Sequence, residues 1–362
     1  MEGNGSYNKH ARVQGGLVDI TSHLLNAAMA RFAKQAALNS SYSIVDLGAS
    51  QGRNSLQLLH HLLRHLDANL PAEIVTPELL VLHEDQPAND FATLLDTLNS
   101  HLSYIHKRPN VYTGVIAKSF YDQLEKVPSP LPGTLVFVND PERRSLASAE
   151  TLATWRQAAH DDLVKFLRLR AAELVDNGSL IVTILSDDGT LAAYKNTLVT
   201  MKCLEDMVAV GALSAASLDR MAVGLYMRTT EDFNAAIKEV PELELHEHEH
   251  VHLDFDFGTP ELAVKFALSV FKPSFEAGMT EEERKSPVVQ EAFHTCMTKQ
   301  VEQNFHDDVL PIYRSTQAVY WYANFTRRPR VGHLKFGVLS MSNLQHNATP
   351  LSLFPLANSF QA

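Results

Sequence analysis

Cysteine is scarce in this chain: Cys203 and Cys296 are the only two in 362 residues. They lie far apart in sequence, so no disulfide framework is expected, and both read as packing residues of a reduced protein. Basic charge is also in short supply. Lys and Arg total 31 against 42 Asp and Glu, a formal net charge of −11, which argues against binding a nucleic-acid backbone as the main task. No apolar run is long enough to span a bilayer, and the polar start Met1-Glu-Gly-Asn-Gly5 lacks the character of a signal peptide. The expectation is a cytoplasmic protein with neither nucleic-acid nor membrane partners. An apolar content of 45% and a charged content of 20% are ordinary for a globular chain. The length allows one large domain or two small ones.

The most telling segment runs from Ser43 to Asn54, Ser-Ile-Val-Asp-Leu-Gly-Ala-Ser-Gln-Gly-Arg-Asn. Ser43, Ile44 and Val45 read as the end of a buried strand closed by Asp46. Gly48 and Gly52 make a tight loop, and Leu56, Leu58, Leu59, Leu62 and Leu63 continue as an amphipathic helix. Glycines let a ligand approach the backbone, and a helix start offers N–H groups, so the unit reads as a ligand site. Gly48-Ala-Ser-Gln-Gly52 also fits Gly-x-Ser-x-Gly, the elbow that presents a nucleophilic serine, which would make Ser50 the nucleophile of a serine hydrolase. Against that, a single strand candidate precedes it and no His-Gly-Gly motif occurs.

Around this unit, helical and strand patterns alternate. Leu17 to Phe32 is helical; strands are expected at Pro77–His83, Asn110–Ala117, Leu135–Val138 and Ser179–Leu185. Helices are expected at Asn89–Leu98 and Ala153–Leu174, the latter stopped by Asp176-Asn-Gly178. Such alternation predicts a mainly parallel sheet flanked by helices. Asn89 and Asp90 read as caps of the helix that follows them. After about residue 200 helices dominate: Leu204–Gly211, Ala216–Met221, Thr230–Lys238, Leu262–Phe271 and Val288–Phe305. Leu243–Phe257 reads as extended, and Gln317–Phe325 as a last strand or helix. His246, His248, His250 and His252 would share one face of a strand, too spread along it to chelate one ion well; a solvated edge strand is expected and no metal site.

The motifs together resemble the SABATH family, carboxyl methyltransferases that use S-adenosyl-L-methionine (SAM). Ser6-Tyr7-Asn-Lys-His-Ala-Arg-Val-Gln14 resembles the family's Ser-Tyr-x-x-x-Ser-x-x-Gln opening. Asp46 to Asn54 resembles Asp-Leu-Gly-Cys-Ser-x-Gly-x-Asn, and Asp85-Gln-Pro-Ala-Asn-Asp-Phe91 resembles Asp-Leu-Pro-x-Asn-Asp-Phe. Ser119-Phe-Tyr121 matches Ser-Phe-Tyr, and Asp162 to Gly178 resembles a long family helix. The motifs keep the family's order over residues 6–325.

The resemblance implies a fold and a set of roles. The fold class is α/β: a Rossmann-like class I methyltransferase sheet with a helical cap. Residues 1–200 would form the SAM-binding core with an N-terminal lid, 201–325 the cap and returning strands of the same domain, and 326–362 a disordered tail. Tyr7 would close over the cofactor near its methyl group, and Asp46, Gly48 and Asn54 would line its methionine end. Asp85 would accept hydrogen bonds from the ribose, a task suited to a carboxylate at a strand end. Gln86 would lie beside the adenine, with Ser119 and Phe120 on its other side. Gln14, together with Tyr7, would contact the substrate carboxylate, and His83 would be polar trim near the cofactor. The implied partners are a small-molecule carboxylic acid and a second copy of the chain in a homodimer.

Two departures stand beside the matches. Family members follow Ser-Phe-Tyr with a strand and then Ser-x-x-x-Leu-His-Trp-Leu-Ser. Here Ser119 to Glu125 runs straight into Lys126-Val-Pro-Ser-Pro-Leu-Pro132, with Leu135–Val138 as the nearest strand candidate and no Trp beside it. Ala11 and Ala49 replace the usual Ser and Cys. The sheet is therefore open to being one strand short. The alternative to an O-methyltransferase acting on a small acid is a SAM-binding relative, or truncated product, that is catalytically impaired.

Overall fold

The computed structural model describes residues 12–37, 41–72, 74, 77–108, 110–118, 148–190, 195–221, 226–305 and 316–330. Helices α1 (Arg12–Ile20) and α2 (Ser22–Ala36) come first. Then strand β1 (Ser41–Leu47) feeds helix α3 (Arg53–Asn69), strand β2 (Glu78–Asp85) feeds helix α4 (Phe91–Leu98), and a 3-10 turn at Tyr104–His106 leads into strand β3 (Val111–Ala117). These strands form a parallel sheet in the order β1-β2-β3, with Asp46 level with His83 and His83 level with Val115. Of the leucines that marked α3 in the sequence, Leu56, Leu59, Leu62 and Leu63 are buried and Leu58 is half-buried, with Leu66 completing the buried stripe. Each contributes about 1.5–3 kcal/mol by leaving water. They share a core with Leu24, Leu25 and Met29 of α2 and with Leu79 and Val81 of β2. The opposite sheet face, with Val45, Leu80 and Tyr112, is exposed.

The second half is built around helix α5 (Ala149–Glu173) and strand β4 (Ser179–Leu185). Helices α6 (Lys195–Ala209), α7 (Ala215–Arg220) and α8 (Thr230–Lys238) follow, then strand β5 (Leu243–Phe255). Helices α9 (Pro260–Gly278), α10 (Glu281–Lys285) and α11 (Pro287–Phe305) precede the last strand, β6 (Thr316–Arg327). The order here is β4-β6-β5, and β6 runs antiparallel to both neighbours. The expected parallel sheet flanked by helices is present in β1-β2-β3; in the second sheet β4 and β5 run the same way and β6, which returns between them after α9–α11, is the reversed strand. Trp321 of β6 stacks on Phe233 of α8 with ring centroids 4.0 Å apart, anchoring a second core.

Strand β5 is an edge strand, as its alternating polar residues suggested. The four histidines do not share a face, however. A register shift between Leu245 and Glu247 makes His246 an extra residue, bonded to Thr326 Oγ1 at 2.7 Å, while His250 lies between Ser186 and Thr230. No group of His, Cys, Asp and Glu placed to hold a metal is found among the described residues.

Cys203 and Cys296 are both free thiols in the contact of α6 with α11, and burial pushes the Cys203 thiol far up. No helix among the described residues is long and apolar enough to cross a membrane. By contacts, Met1–Pro329 forms one unit and Arg330–Ala362 another. The expected strand at Leu135–Val138 and the tail beyond Arg330 lie outside the described residues, whereas Thr326 and Arg327 end strand β6.

Candidate cofactor site

The loop between β1 and α3 is held in place by the end of β2. The N–H groups of Gly48 and Ala49 both donate to the Glu84 carbonyl, at 2.9 and 3.1 Å. Three positive φ angles follow one another closely: 85° at Gly48, 51° at Ser50 and 91° at Gly52. Glycine takes this conformation without steric cost, whereas serine pays about 1–3 kcal/mol. Two side chains hold Ser50 there. Its N–H donates to Asp85 Oδ2 at 2.7 Å, and its carbonyl accepts from Asn89 Nδ2, also at 2.7 Å. Asp85 Oδ1 accepts from the N–H of Gln86 at 2.8 Å.

Glycine is required at 52 for packing as well as for φ. A Cβ there would stand 2.8 Å from Leu94 Cδ1 and 3.2 Å from Thr97 Cγ2, so the loop lies directly on α4. Gly52 is also the residue before α3 and brings no side chain of its own to cap it. A helix start at a glycine turn, at the C-terminal ends of parallel strands, is where α/β sheets take ligands.

The charge of the site is negative. Asp85 is buried, and Asp46 has a side chain 16% exposed at the end of the neighbouring strand. Burial pushes the Asp85 carboxyl above the usual carboxylate range; the N–H groups of Ser50 and Gln86 pull it part of the way back, and the charge of Asp46 pushes it up again. Asn89 Oδ1 is buried without a hydrogen-bond partner. Each carboxylate oxygen has two lone pairs, so Asp85 can hold the loop and still accept from a ligand. Acceptors and negative charge together suit a ligand that carries hydroxyls and positive charge.

The structure brings Asp46, Gly48, Asn54, Asp85 and Gln86 together around one loop. Gln14 stands on the backbone of α1, and Tyr7, Ser119 and Phe120 lie outside the described residues. Sequence reasoning missed Asn89 and Gln51. Asp90 does cap α4, accepting from the Thr93 N–H at 3.1 Å, but Asn89 turns away to the loop. Gln51 is fully buried and donates to Asp90 Oδ2 at 3.3 Å. The Ser50 nucleophile is not favoured: Ser50 is a buried loop residue whose backbone is clamped between Asp85 and Asn89. A groove of about 420 Å³ beside Val164, Lys165, Arg168 and Glu239 shares no residue with the loop.

Comparison with known proteins gives the family. A family model described as SAM dependent carboxyl methyltransferase matches residues 1–128 and 142–315. Its interruption falls on 129–141, within the stretch where the motifs depart from the family pattern. The methyltransferase LUC1 of Fusarium sp is 29% identical over 257 residues, covering 66% of this chain and 67% of its own length. Indole-3-acetate O-methyltransferase 1 of Arabidopsis thaliana is 23% identical over 282 residues, covering 65% of this chain and 70% of its own. Among solved structures, loganic acid methyltransferase with SAH has the same fold, with a TM-score of 0.72 at 16% identity, covering 92% of this chain and 99% of that one. The chain belongs to the family of SAM-dependent carboxyl methyltransferases, and its cofactor is SAM.

Proposed function

We propose that this chain transfers a methyl group to the carboxylate of a small, partly apolar acid, with the loop at residues 48–52 as its SAM site. The observation that carries the reading is the clamp on Ser50 by Asp85 and Asn89, which holds a glycine turn open at the ends of β1 and β2. Bound there, SAM supplies an electrophilic methyl group on a sulfonium. The acceptor carboxylate is ionised at neutral pH and needs no general base. The protein's work is to align the reacting groups and exclude water, which is worth roughly 7–11 kcal/mol in good cases.

In this reading Asp85 accepts from the ribose hydroxyls and Gln86 lies beside the adenine. Asp46, Gly48 and Asn54 face the methionine end. Ser119 and Phe120 hold the adenine from the other side, Tyr7 closes over the methyl group, and Gln14 binds the acceptor carboxylate. Residues 1–200 are the cofactor core with its lid, 201–325 the cap with returning strands, and the working form is a homodimer. The relative that acts on indole-3-acetate supports a small acid as acceptor.

The test is transfer of labelled methyl from SAM to a panel of small aromatic and aliphatic acids. A methyl ester, released as methanol by mild base, is the expected product. Methyl transfer confined to nitrogen acceptors, or no transfer to any acid by protein that binds SAM, would overturn the acceptor assignment.

A further inference from the structure

One buried titratable group has no part in the reaction as described. His83 stands on β2 between Asp46 of β1 and Val115 of β3, and its side chain is wholly buried. Its Nδ1 is 2.9 Å from Ser55 Oγ, in the first turn of α3. Its Nε2 is 2.9 Å from the Tyr104 hydroxyl, which donates to Thr113 Oγ1 at 2.9 Å. Asp46 Oδ2 lies 3.9 Å from Nδ1. A single polar chain thus runs from β3 through the 3-10 turn and β2 to the start of α3, beneath the loop.

The proton order along this chain is self-consistent. Tyr104 gives its proton to Thr113, so its oxygen accepts from Nε2–H, and Nδ1 is left to accept from the Ser55 hydroxyl. Burial pushes the Tyr104 hydroxyl up to about 12, which keeps it a donor across the physiological range. A buried polar chain with every proton placed fixes the geometry of what it touches. Here it reaches the first turn of α3, where the loop ends, with the carboxylate of Asp46 alongside the ring but not hydrogen-bonded to it.

We propose that His83 is a positioning residue of the cofactor site: its ring, locked between Ser55 and Tyr104, holds the start of α3, and with it the end of the glycine loop, in the geometry that receives the methionine end of SAM. This rests on the proposed SAM site at the loop. An apolar residue in place of His83 would fill the core and leave the Ser55 hydroxyl without its partner at the start of α3. The cost then falls on cofactor affinity and not on the fold, since Tyr104 keeps Thr113 as its partner and Ser55 can turn to its own helix.

The experiment is calorimetric titration of S-adenosylhomocysteine (SAH) into the wild type and into the variants His83→Leu, His83→Asn, Tyr104→Phe and Asp46→Ala, with the melting temperature of each. His83→Leu is expected to weaken SAH binding about tenfold with a melting temperature near that of wild type. His83→Asn, which keeps a polar atom where Nδ1 stands, is expected to recover most of that loss. Tyr104→Phe, which preserves the ring and its packing, is expected to weaken binding in the same direction by about threefold. This variant carries the test if His83→Leu fails to fold. Should Asp46→Ala weaken binding while His83→Leu and Tyr104→Phe match wild type, the proposal is overturned and the site assignment stands. Failure of the folded wild type to bind SAH at all would remove the site assignment, and the proposal falls with it.

Discussion

Asp85→Ala is expected to weaken SAH binding by about 100- to 1000-fold. The carboxylate accepts from two N–H groups, those of Ser50 and Gln86. Hydrogen bonds to a charged group contribute about 1.5–3 kcal/mol each. Their loss leaves the Ser50 N–H buried without its acceptor, and the positive φ of 51° at Ser50 loses one of its two restraints. The loop then relaxes away from the shape proposed to receive the cofactor, and the proposed ribose acceptor is gone as well. Calorimetry reads the effect directly; a loss below threefold would contradict the role of Asp85.

The same residue gives a pH signature with a definite sign. Burial, helped by the charge of Asp46, raises the folded-state pKa of Asp85 above its unfolded value, although the Ser50 and Gln86 N–H groups oppose the rise. The fold therefore disfavours the ionised form. The stability contributed by this group is present below the unfolded value of about 3.9 and is lost as pH rises through the raised folded value. Without cofactor, the stability difference between wild type and Asp85→Ala should shift in favour of wild type as pH falls from neutral toward the carboxylate range. SAH affinity of the wild type should fall over the same window, as the ionised acceptor is lost. Ionisation of Asp85 thus costs the apoprotein some stability relative to the neutral carboxyl.

Gly52→Ala is the second variant with a large expected effect. An alanine at φ 91° pays about 1–2 kcal/mol for its backbone. Its Cβ meets Leu94 Cδ1 at 2.8 Å, and Leu94 is fully buried with little room to give way. Overpacking of this kind costs about 1–3 kcal/mol. A summed loss of about 3 kcal/mol lowers the melting temperature of a chain this size by roughly 5 °C. SAH affinity is expected to fall at least tenfold, because the loop and the start of α3 move together. A double-mutant cycle separates the causes: Leu94→Ala should cost less in the Gly52→Ala background than in wild type, with the backbone strain left over. A melting temperature unchanged by Gly52→Ala would contradict the packing of the loop on α4.

Local chemistry was legible in the sequence and long-range chemistry was not. Strand β4 runs from Ser179 to Leu185 as expected, because the turn at Asn177, with φ 61°, and an unbroken apolar run define it. Helix α8 starts at Thr230 because Thr229 and Asp232 form a capping box, a signal four residues long. The glycine loop was legible for the same reason. The antiparallel entry of β6 was not, since it is decided by pairing with β4 and β5 across the whole second half of the chain. Asn89 looked like a cap because its neighbours are cap residues; its partner, Ser50, is 39 residues away. His83 looked like polar trim because nothing in its own strand reveals Ser55, Tyr104 and Thr113. A site assembled from the ends of several strands shows its anchors in sequence, but the contacts that hold the anchors appear only once the chain is folded.

The central claim is that the loop at residues 48–52, clamped by Asp85, is a working SAM site. Titration of wild-type protein with SAM and with SAH tests it most directly. The account predicts one site per chain with affinity in the micromolar range for both. Folded, monodisperse protein that takes up neither would contradict it.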